Sequence, residues 1–387
     1  LKDAGQRGTD VLVFNKGGRD FRMDRLERGE AVPREFFYGF PDLIEAGIRA
    51  RMQSSAGAVP GPVGWSADML ERALVRALGL GVRPLSARLR ASAFADAKVV
   101  MSYTDGFSLS LGLARPALPA PPVLMGGFHA LADMEDRVPA GRRALARGLI
   151  ARALAGLDHA FFFSPADHQE VLRRYALPPE KATYLNFGVD TEFWRPEPDA
   201  PQEDFVVAVG QDPNRDFDLL AAAPGGHPTR IVTRRTVALP PGSTHVSIGA
   251  GDFFGSDSMS DEQLRRLYNT AAAVIVPLKD VFQATGTSVS LQAMACGRPV
   301  IISNIKGIWA PDALRDGENC LLVPPGDAAA LGAAIGRIRA DGGLAARIGK
   351  AARELVVTRF GLQEIGGGTV ALARKGLALF DARGMRA

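Results

Sequence analysis

Cysteine is nearly absent: the 387 residues contain only Cys296 and Cys320. A disulfide framework and a cysteine-rich metal centre are thereby excluded. No apolar run approaches the roughly 20 residues a membrane-spanning helix needs. The opening residues show no charged–apolar–small leader pattern, and a reducing cytoplasm is the expected compartment. Aromatic residues make up only 7% and the arginines are scattered, so no nucleic-acid partner is expected. Charge of neither sign dominates, with a net of +4 and a pI near 9.2. That mild basic excess suits an anionic substrate or an acidic membrane surface, and peripheral contact at the inner face of a membrane stays open. P-loop, Gly-x-Ser-x-Gly and helical metal motifs are missing, as are internal repeats, and no metal is expected.

What the chain does have is length for two domains and many strand–helix alternations. Short runs of three to six residues, mostly apolar, predict strands near 10–14, 98–103, 122–125, 160–163, 183–185, 205–209, 230–233, 245–248, 274–276, 300–302 and within 317–325. Forty-three glycines and twenty-six prolines suit the short loops between them. Ser66 is the expected N-cap of a helix over 67–78, with Met69, Leu70, Leu74 and Leu78 turned to a sheet. An arginine-rich helix over 137–156 has no clean apolar face, which favours a solvated helix with snorkelling arginines. Ser260 is expected to cap a helix over 261–273. The proline-rich stretch 196–201 is the expected domain boundary.

Residues 274–302 organise the rest. Val274, Ile275 and Val276 read as a buried strand ended by Pro277, and 279–288 as a polar loop with Gly286. Then come a helix through Met294, a left-handed cap at Gly297 and a returning strand. A loop at the carboxyl edge of a parallel sheet is where ligands bind, and a helix N-terminus offers unpaired N–H groups to an anion. Thr285, Thr287 and Ser288 add hydroxyl donors, chemistry that suits a diphosphate.

The run Gln292-Ala293-Met294-Ala295-Cys296-Gly297-Arg298-Pro299-Val300 resembles the C-terminal signature of retaining glycosyltransferases of GT-B fold, in particular glycosyltransferase family 4. The resemblance implies an α/β architecture of two doubly wound Rossmann-like domains facing a cleft. Residues 1–197 would form the acceptor-side domain, with 369–387 packing back on it, and 202–368 the nucleotide-sugar domain. It also implies roles. Gln292 stands where the family has the glutamate that holds the ribose. Gln283 is the nearer equivalent of the glutamate beside the donor sugar, nine residues ahead of Gln292; strict family spacing falls on Ala284. Gln keeps hydroxyl hydrogen bonding and loses charge assistance. His129 follows an N-domain strand where the family carries a histidine that faces the donor sugar; a lone histidine there is otherwise incidental.

Gly210, Asp212 and Arg215 follow the strand at 205–209, where the family neutralises the donor phosphates. Arg215 is either the phosphate ligand or an exposed loop charge, and Lys279 is a candidate second cation. The turn Asn15-Lys16-Gly17-Gly18-Arg19 is either a plain turn or a ligand edge, with Gly18 the candidate. The run 186–190, Asn-Phe-Gly-Val-Asp, resembles the family's boundary motif. The function implied is retaining, metal-independent transfer from a nucleotide diphosphate sugar to a glycan, lipid-linked or small-molecule acceptor, as in polysaccharide biosynthesis, with no cofactor beyond the donor. Two alternatives stay open: a nucleotide-sugar 2-epimerase, and a non-catalytic nucleotide-sugar-binding scaffold of the same fold.

Overall fold

A computed structural model describes residues 8–17, 19–55, 59–94, 96–118, 122–249 and 259–384. The chain divides into two units: Leu1–Asp20, Phe37–Asn186 and Ile365–Ala387 form the first, and Phe21–Phe36 with Phe187–Glu364 the second. The division falls after Asn186, ahead of the proline-rich stretch. That stretch lies inside the second unit, where Glu197 pairs with Arg265 at 2.7 Å and its backbone N–H donates to Asn269. The sixteen residues of Phe21–Phe36 leave the first unit for the second, which no local feature of the sequence announces.

The first unit is built on a six-stranded parallel sheet: β1 Thr9–Asn15, β2 Ala50–Ser54, β3 Ala97–Ser102, β4 Val123–Phe128, β5 His159–Phe162 and β6 Ala182–Tyr184. Their order is β2-β1-β3-β4-β5-β6, which reverses direction between β1 and β3. Val11, Leu12, Val13 and Phe14 are all buried, so helices cover both faces of β1. β2 was not expected. Ala-Arg-Met-Gln-Ser has no β-branched residue, and only in-register pairing with β1 over Val11–Asn15 makes it an edge strand. The C-terminal helix, Leu362–Gly384, begins earlier than 369. It packs so closely that a Cβ on Gly376 would sit 2.8 Å from Val99 Cγ1 and from Met125 Sδ.

The helix Pro62–Leu78 corrects the sequence reading. Gly61, not Ser66, is its N-cap. Its buried face carries Asp68 and Glu71, while Met69, Leu70 and Leu74 face solvent. The inversion follows from what the acids do. Asp68 accepts from Arg83 at 2.7 Å, and Glu71 accepts from the backbone N–H groups of Leu85 and Ser86, capping the helix Pro84–Leu89. Buried carboxylates with such partners hold the helix the other way round.

The second unit carries β7 Val206–Val209, β8 Thr229–Val232, β9 Val246–Gly249, β10 Ala273–Val276, β11 Val300–Ser303 and β12 Leu321–Val323. Their order is β12-β11-β10-β7-β8-β9, all parallel, reversing between β7 and β10. Strand alternation splits the core: Val207, Val209, Val274 and Val276 go to one face, Val206, Ala208, Ala273 and Ile275 to the other. Ser260 caps the helix Asp261–Thr270 in a reciprocal box with Gln263. The segment Phe21–Phe36 is tied in by a buried two-pronged pair, Arg22 Nε and Nη2 donating to Asp261 at 2.9 and 2.6 Å.

Both partners of that pair are only 2% exposed. Arg22→Ala would leave the Asp261 carboxylate buried with only the longer Arg25 contact at 3.9 Å. The expected loss is about 3 kcal/mol of stability, read as a lower urea midpoint at unchanged slope. A loss under about 0.5 kcal/mol would show that the pair anchors nothing.

Candidate functional site

The order reversal in the second unit opens the sheet's carboxyl edge between β7 and β10, where α/β sheets bind ligands. Two loops meet there. The loop after β7 runs from Gly210 to Arg215, and Arg215 forms an isolated antiparallel bridge with Leu278 in the loop after β10. Gly210 has φ +150° and Gly286 φ +83°. A Cβ on Gly210 would lie 2.8 Å from Arg215 Nε, and one on Gly286 3.1 Å from Arg215 Nη1. Two glycines thus make room for one guanidinium.

That guanidinium is the centre of the site. Arg215 is 4% exposed, and its Nε and Nη1 are buried without a hydrogen-bond partner. Desolvation pulls its pKa below the usual arginine range, with Asp212 opposing. Gly286 is also the N-cap of the helix Thr287–Ala295, which has no side-chain cap. A buried cation therefore sits beside a helix N-terminus that no side chain closes. Both features solicit an anion.

Around this centre the structure assembles most of the expected residues. Gln283 Nε2 donates to Asp212 Oδ2 at 3.0 Å, and Asn214 Nδ2 donates to Gln283 Oε1 at 2.8 Å. This network explains glutamine at 283: a carboxylate would confront Asp212 with like charge. Ala284 makes no polar side-chain bond by its nature, so Gln283 carries the polar contact in this loop. Thr285 Oγ1 is buried without a partner, and Thr287 Oγ1 donates to Ala284 O at 2.6 Å. Ser288 is half-buried in the first helical turn. Lys279 is exposed, its backbone N–H bonded to Asn214 O at 2.9 Å. Gln292 is buried and donates from Nε2 to Glu35 Oε1 at 3.0 Å.

His129 belongs to the first unit, at the end of β4. Its ring stacks on Phe163 with centroids 4.4 Å apart, and Nε2 donates to Tyr103 O at 3.1 Å. Gly18 and the loop at 250–258 lie outside the described residues. Among the described residues no group of three or more His, Cys, Asp or Glu side chains is arranged for a metal ion.

Two residues that no motif points to hold the site in place. Arg235 Nη1 donates to the carbonyls of Asp212 and Arg215 at 2.8 and 2.9 Å, fixing the β7 loop. Glu35, 257 positions from Gln292, also accepts from Trp194 Nε1 at 2.7 Å and Asp190 N at 3.2 Å. Pairings at such separation leave no trace in local sequence.

Burial pushes the Glu35 carboxyl up to about 7 from an ordinary 4.5. The folded protein then binds this proton more tightly than the unfolded chain. The contribution is complete below pH 4.5 and is lost as pH rises through about 7. It amounts to about 3 kcal/mol. Asp167 in the first unit, also raised to about 7, titrates in the same window, so the test is a difference. The melting temperature of Glu35→Gln minus that of the parent should climb between pH 5 and 8; a flat difference rejects the buried, protonated Glu35.

The family model described as Glycosyl transferases group 1 matches residues 250–341. An MMP alpha-(1->4)-mannosyltransferase of Mycolicibacterium hassiacum is 25% identical, the match covering 97% of this chain and 93% of the relative. An alpha-maltose-1-phosphate synthase of Mycobacterium tuberculosis is 26% identical over 74% of this chain and 81% of its own. Among solved structures, sucrose-phosphate synthase from Thermosynechococcus elongatus superposes with a TM-score of 0.66 at 19% identity, covering 96% of this chain and 100% of the other. Anabaena HepE in complex with UDP-glucose gives 0.65 at 16% identity, over 95% and 99%. The chain thus has the GT-B fold, its residues 250–341 match the glycosyl transferases group 1 model, and the curated relatives it resembles are glycosyltransferases.

Proposed function

We propose that the second unit binds the diphosphate of a nucleotide sugar at the β7–β10 edge, and that the chain transfers the sugar, with retention of configuration, to a glycan, lipid-linked or small-molecule acceptor. The observation that carries this reading is the Arg215 guanidinium, buried and without a hydrogen-bond partner on Nε and Nη1. A charge so placed is costly unless an anion pairs with it. A diphosphate meets the two free nitrogens, the amides at 286–288 and the Thr285 hydroxyl together. The names of the relatives, hexosyl-transferring enzymes among them, and the UDP-glucose complex of HepE support a nucleotide-sugar donor.

As the bond between the anomeric carbon and the phosphate oxygen breaks, charge grows on the leaving diphosphate. Arg215, the helix N-terminus and Lys279 stabilise that charge more than the ground state, which lowers the barrier. With these groups in place no metal is required. The acceptor oxygen bonds to the anomeric carbon on the face the phosphate leaves, and the acceptor proton passes to the departing phosphate. Gln283 lies beside the sugar, held by Asp212 and Asn214. Gln292 turns its carbonyl oxygen to the ribose, its amide nitrogen held on Glu35. His129, at the end of β4, is the proposed catalytic histidine. Donor binding without any sugar transfer or hydrolysis would favour the scaffold alternative, and conversion of the donor sugar's configuration the epimerase.

The inverted helix Pro62–Leu78 supports contact with an anionic bilayer surface. It exposes Val63, Trp65, Met69 and Leu70 by 54–68%, beside exposed Arg72 and Arg76. Its two acids, Asp68 and Glu71, are buried. An apolar face edged by cations, with no acid among them, matches an interfacial helix on anionic lipid. Among the described residues no helix is long and apolar enough to cross a membrane.

Arg215→Ala should weaken UDP about 100-fold by isothermal titration while uridine affinity changes less than threefold; equal loss for both ligands rejects the phosphate role. For the bilayer, the parent should co-sediment with phosphatidylglycerol vesicles and shift Trp65 emission to the blue, Trp194 and Trp309 being buried. Met69→Glu with Leu70→Glu should reduce that binding at least tenfold. Failure of the parent to bind at low salt rejects the contact.

A further inference from the structure

The backbone and the ring of His129 are fixed by different groups. Four consecutive amides hold the backbone. His129 N and Ala130 N donate to Asp105 Oδ1, both at 3.0 Å, and Leu131 N and Ala132 N donate to Asp167 Oδ2 and Oδ1 at 3.1 and 2.7 Å. Asp105 opens the helix Asp105–Ala114, and Asp167 lies in the first turn of the helix Pro165–Tyr175. Two carboxylates from two helices leave this turn little freedom. They do not set the rotation of the imidazole about its own side-chain bonds.

Aromatic neighbours and one carbonyl do that. Phe163 lies within 8° of parallel to the ring, Tyr38 meets it edge-on with centroids 6.0 Å apart, and Tyr103 supplies the carbonyl that accepts from Nε2. Tyr38 also packs on Tyr103 at 5.3 Å and on Phe163 at 5.4 Å, which closes the group. The Tyr38 backbone is left-handed, with φ 50°, a conformation that a bulky side chain rarely takes. Such a backbone persists only where its surroundings hold it. Thr369, fully buried on the C-terminal helix, does so: its Oγ1 donates to Tyr38 O at 3.0 Å. The one proton of that hydroxyl is then in use, so the Tyr103 hydroxyl donates to Thr369 Oγ1, at 3.1 Å. The helix comes this close because residue 39 is glycine; a Cβ there would lie 2.8 Å from Thr369 Cβ.

We infer that Thr369 is a positioning residue for His129: one hydroxyl on the C-terminal helix fixes two tyrosines, and the tyrosines fix the plane and the tautomer of the imidazole. The inference rests on the reading of His129 as the catalytic histidine and adds what holds its ring. Every contact in the chain lies within the first unit, from Thr369 to Tyr38 and Tyr103 and from these to His129. Thr369 is fully buried, so it acts through the two tyrosines. The Tyr103 carbonyl selects the tautomer because it can only accept, which places the ring proton on Nε2. Serine at 369 would keep the oxygen that both tyrosines need. Valine would keep the shape and leave the Tyr38 carbonyl and the Tyr103 hydroxyl without it.

Imidazole nitrogen NMR of the full chain, labelled with ring-nitrogen histidine, tests it. The His129 signals are identified among those of the five histidines by their loss in His129→Ala. In its neutral form the parent ring should be the Nε2–H tautomer. Thr369→Val should shift those signals toward a tautomer mixture, and Thr369→Ser should keep the parent spectrum. Turnover, read as nucleotide release from UDP-glucose, ADP-glucose and GDP-mannose, gives the second readout. Thr369→Val should lower kcat about tenfold and leave the donor KM and UDP affinity within about twofold, and Thr369→Ser should restore kcat. In a His129→Ala background Thr369→Val should change kcat by less than about twofold, because its effect passes through the ring. Equal losses in both backgrounds, or His129 signals unmoved in Thr369→Val, overturn the inference. Tyr103→Phe deletes one oxygen and keeps the bond from Thr369 to Tyr38, which guards against a valine variant that does not fold; it must move the same signals, or the inference fails. Turnover undiminished in His129→Ala would remove the catalytic reading of His129, while the spectra still decide whether Thr369 holds its ring.

Discussion

A cation without a counter-ion governs the second unit. Arg215 is withdrawn from solvent between Gly210 and Gly286, and two of its nitrogens have no partner. Such a group is unfavourable in the unliganded fold, and surrounding contacts must hold it in place. Arg235 secures the loop carbonyls on either side, and the Asp212–Gln283–Asn214 network locks the β7 loop to the β10 loop. The desolvation that makes Arg215 costly also strengthens its hold on a ligand anion. Binding energy is thus prepared during folding, as transition-state stabilisation by fixed dipoles and charges requires.

At Arg22, Asp68 and Glu71 buried charge is satisfied, and satisfaction decides orientation. Arg22 and Asp261 hold Phe21–Phe36 in the second unit, and Glu35 extends that anchorage to Gln292. In the first unit Asp68 and Glu71 draw the polar side of their helix inward because Arg83 and two backbone amides wait there. The apolar side is left in water. Paired buried acids therefore outweigh the burial of a few apolar side chains, each of which is worth about 1.5–3 kcal/mol when fully covered.

Each unit gathers charge at its own order reversal. Both sheets are parallel, both reverse their strand order once, and each reversal carries loops bearing cations, hydroxyls and a helix start. The two edges differ in how that charge is held. Around β7 and β10 one buried guanidinium meets a helix end; around β1 and β3 Lys16, Arg83 and Arg90, all less buried, share an open cavity. A diphosphate is the ligand proposed for the first arrangement.

Eleven of the twelve strands among the described residues were legible as short runs, most plainly β1, β7 and β10, because a strand covered on both faces needs consecutive apolar residues, and that demand is local. Gly286 before the helix and Gly297 after it were legible for the same reason, since left-handed backbone selects glycine. β2 was not: Ala50–Ser54 has no strand-forming composition and owes its conformation to β1. Nor was the face of the helix Pro62–Leu78, because periodicity ranks side chains by polarity and cannot see Arg83 or the Leu85 amide. Sequence alone thus determined the α/β class, the loops proposed to carry phosphate-binding chemistry and the candidacy of Arg215. Tertiary structure alone decided that Arg215 is buried without a hydrogen-bond partner, that Glu35 grips Gln292, that Phe21–Phe36 joins the second unit, and that Lys16, Arg83 and Arg90 share one cavity. Those facts depend on residues brought together across tens to hundreds of positions, where only the packed chain sets distance and solvent access.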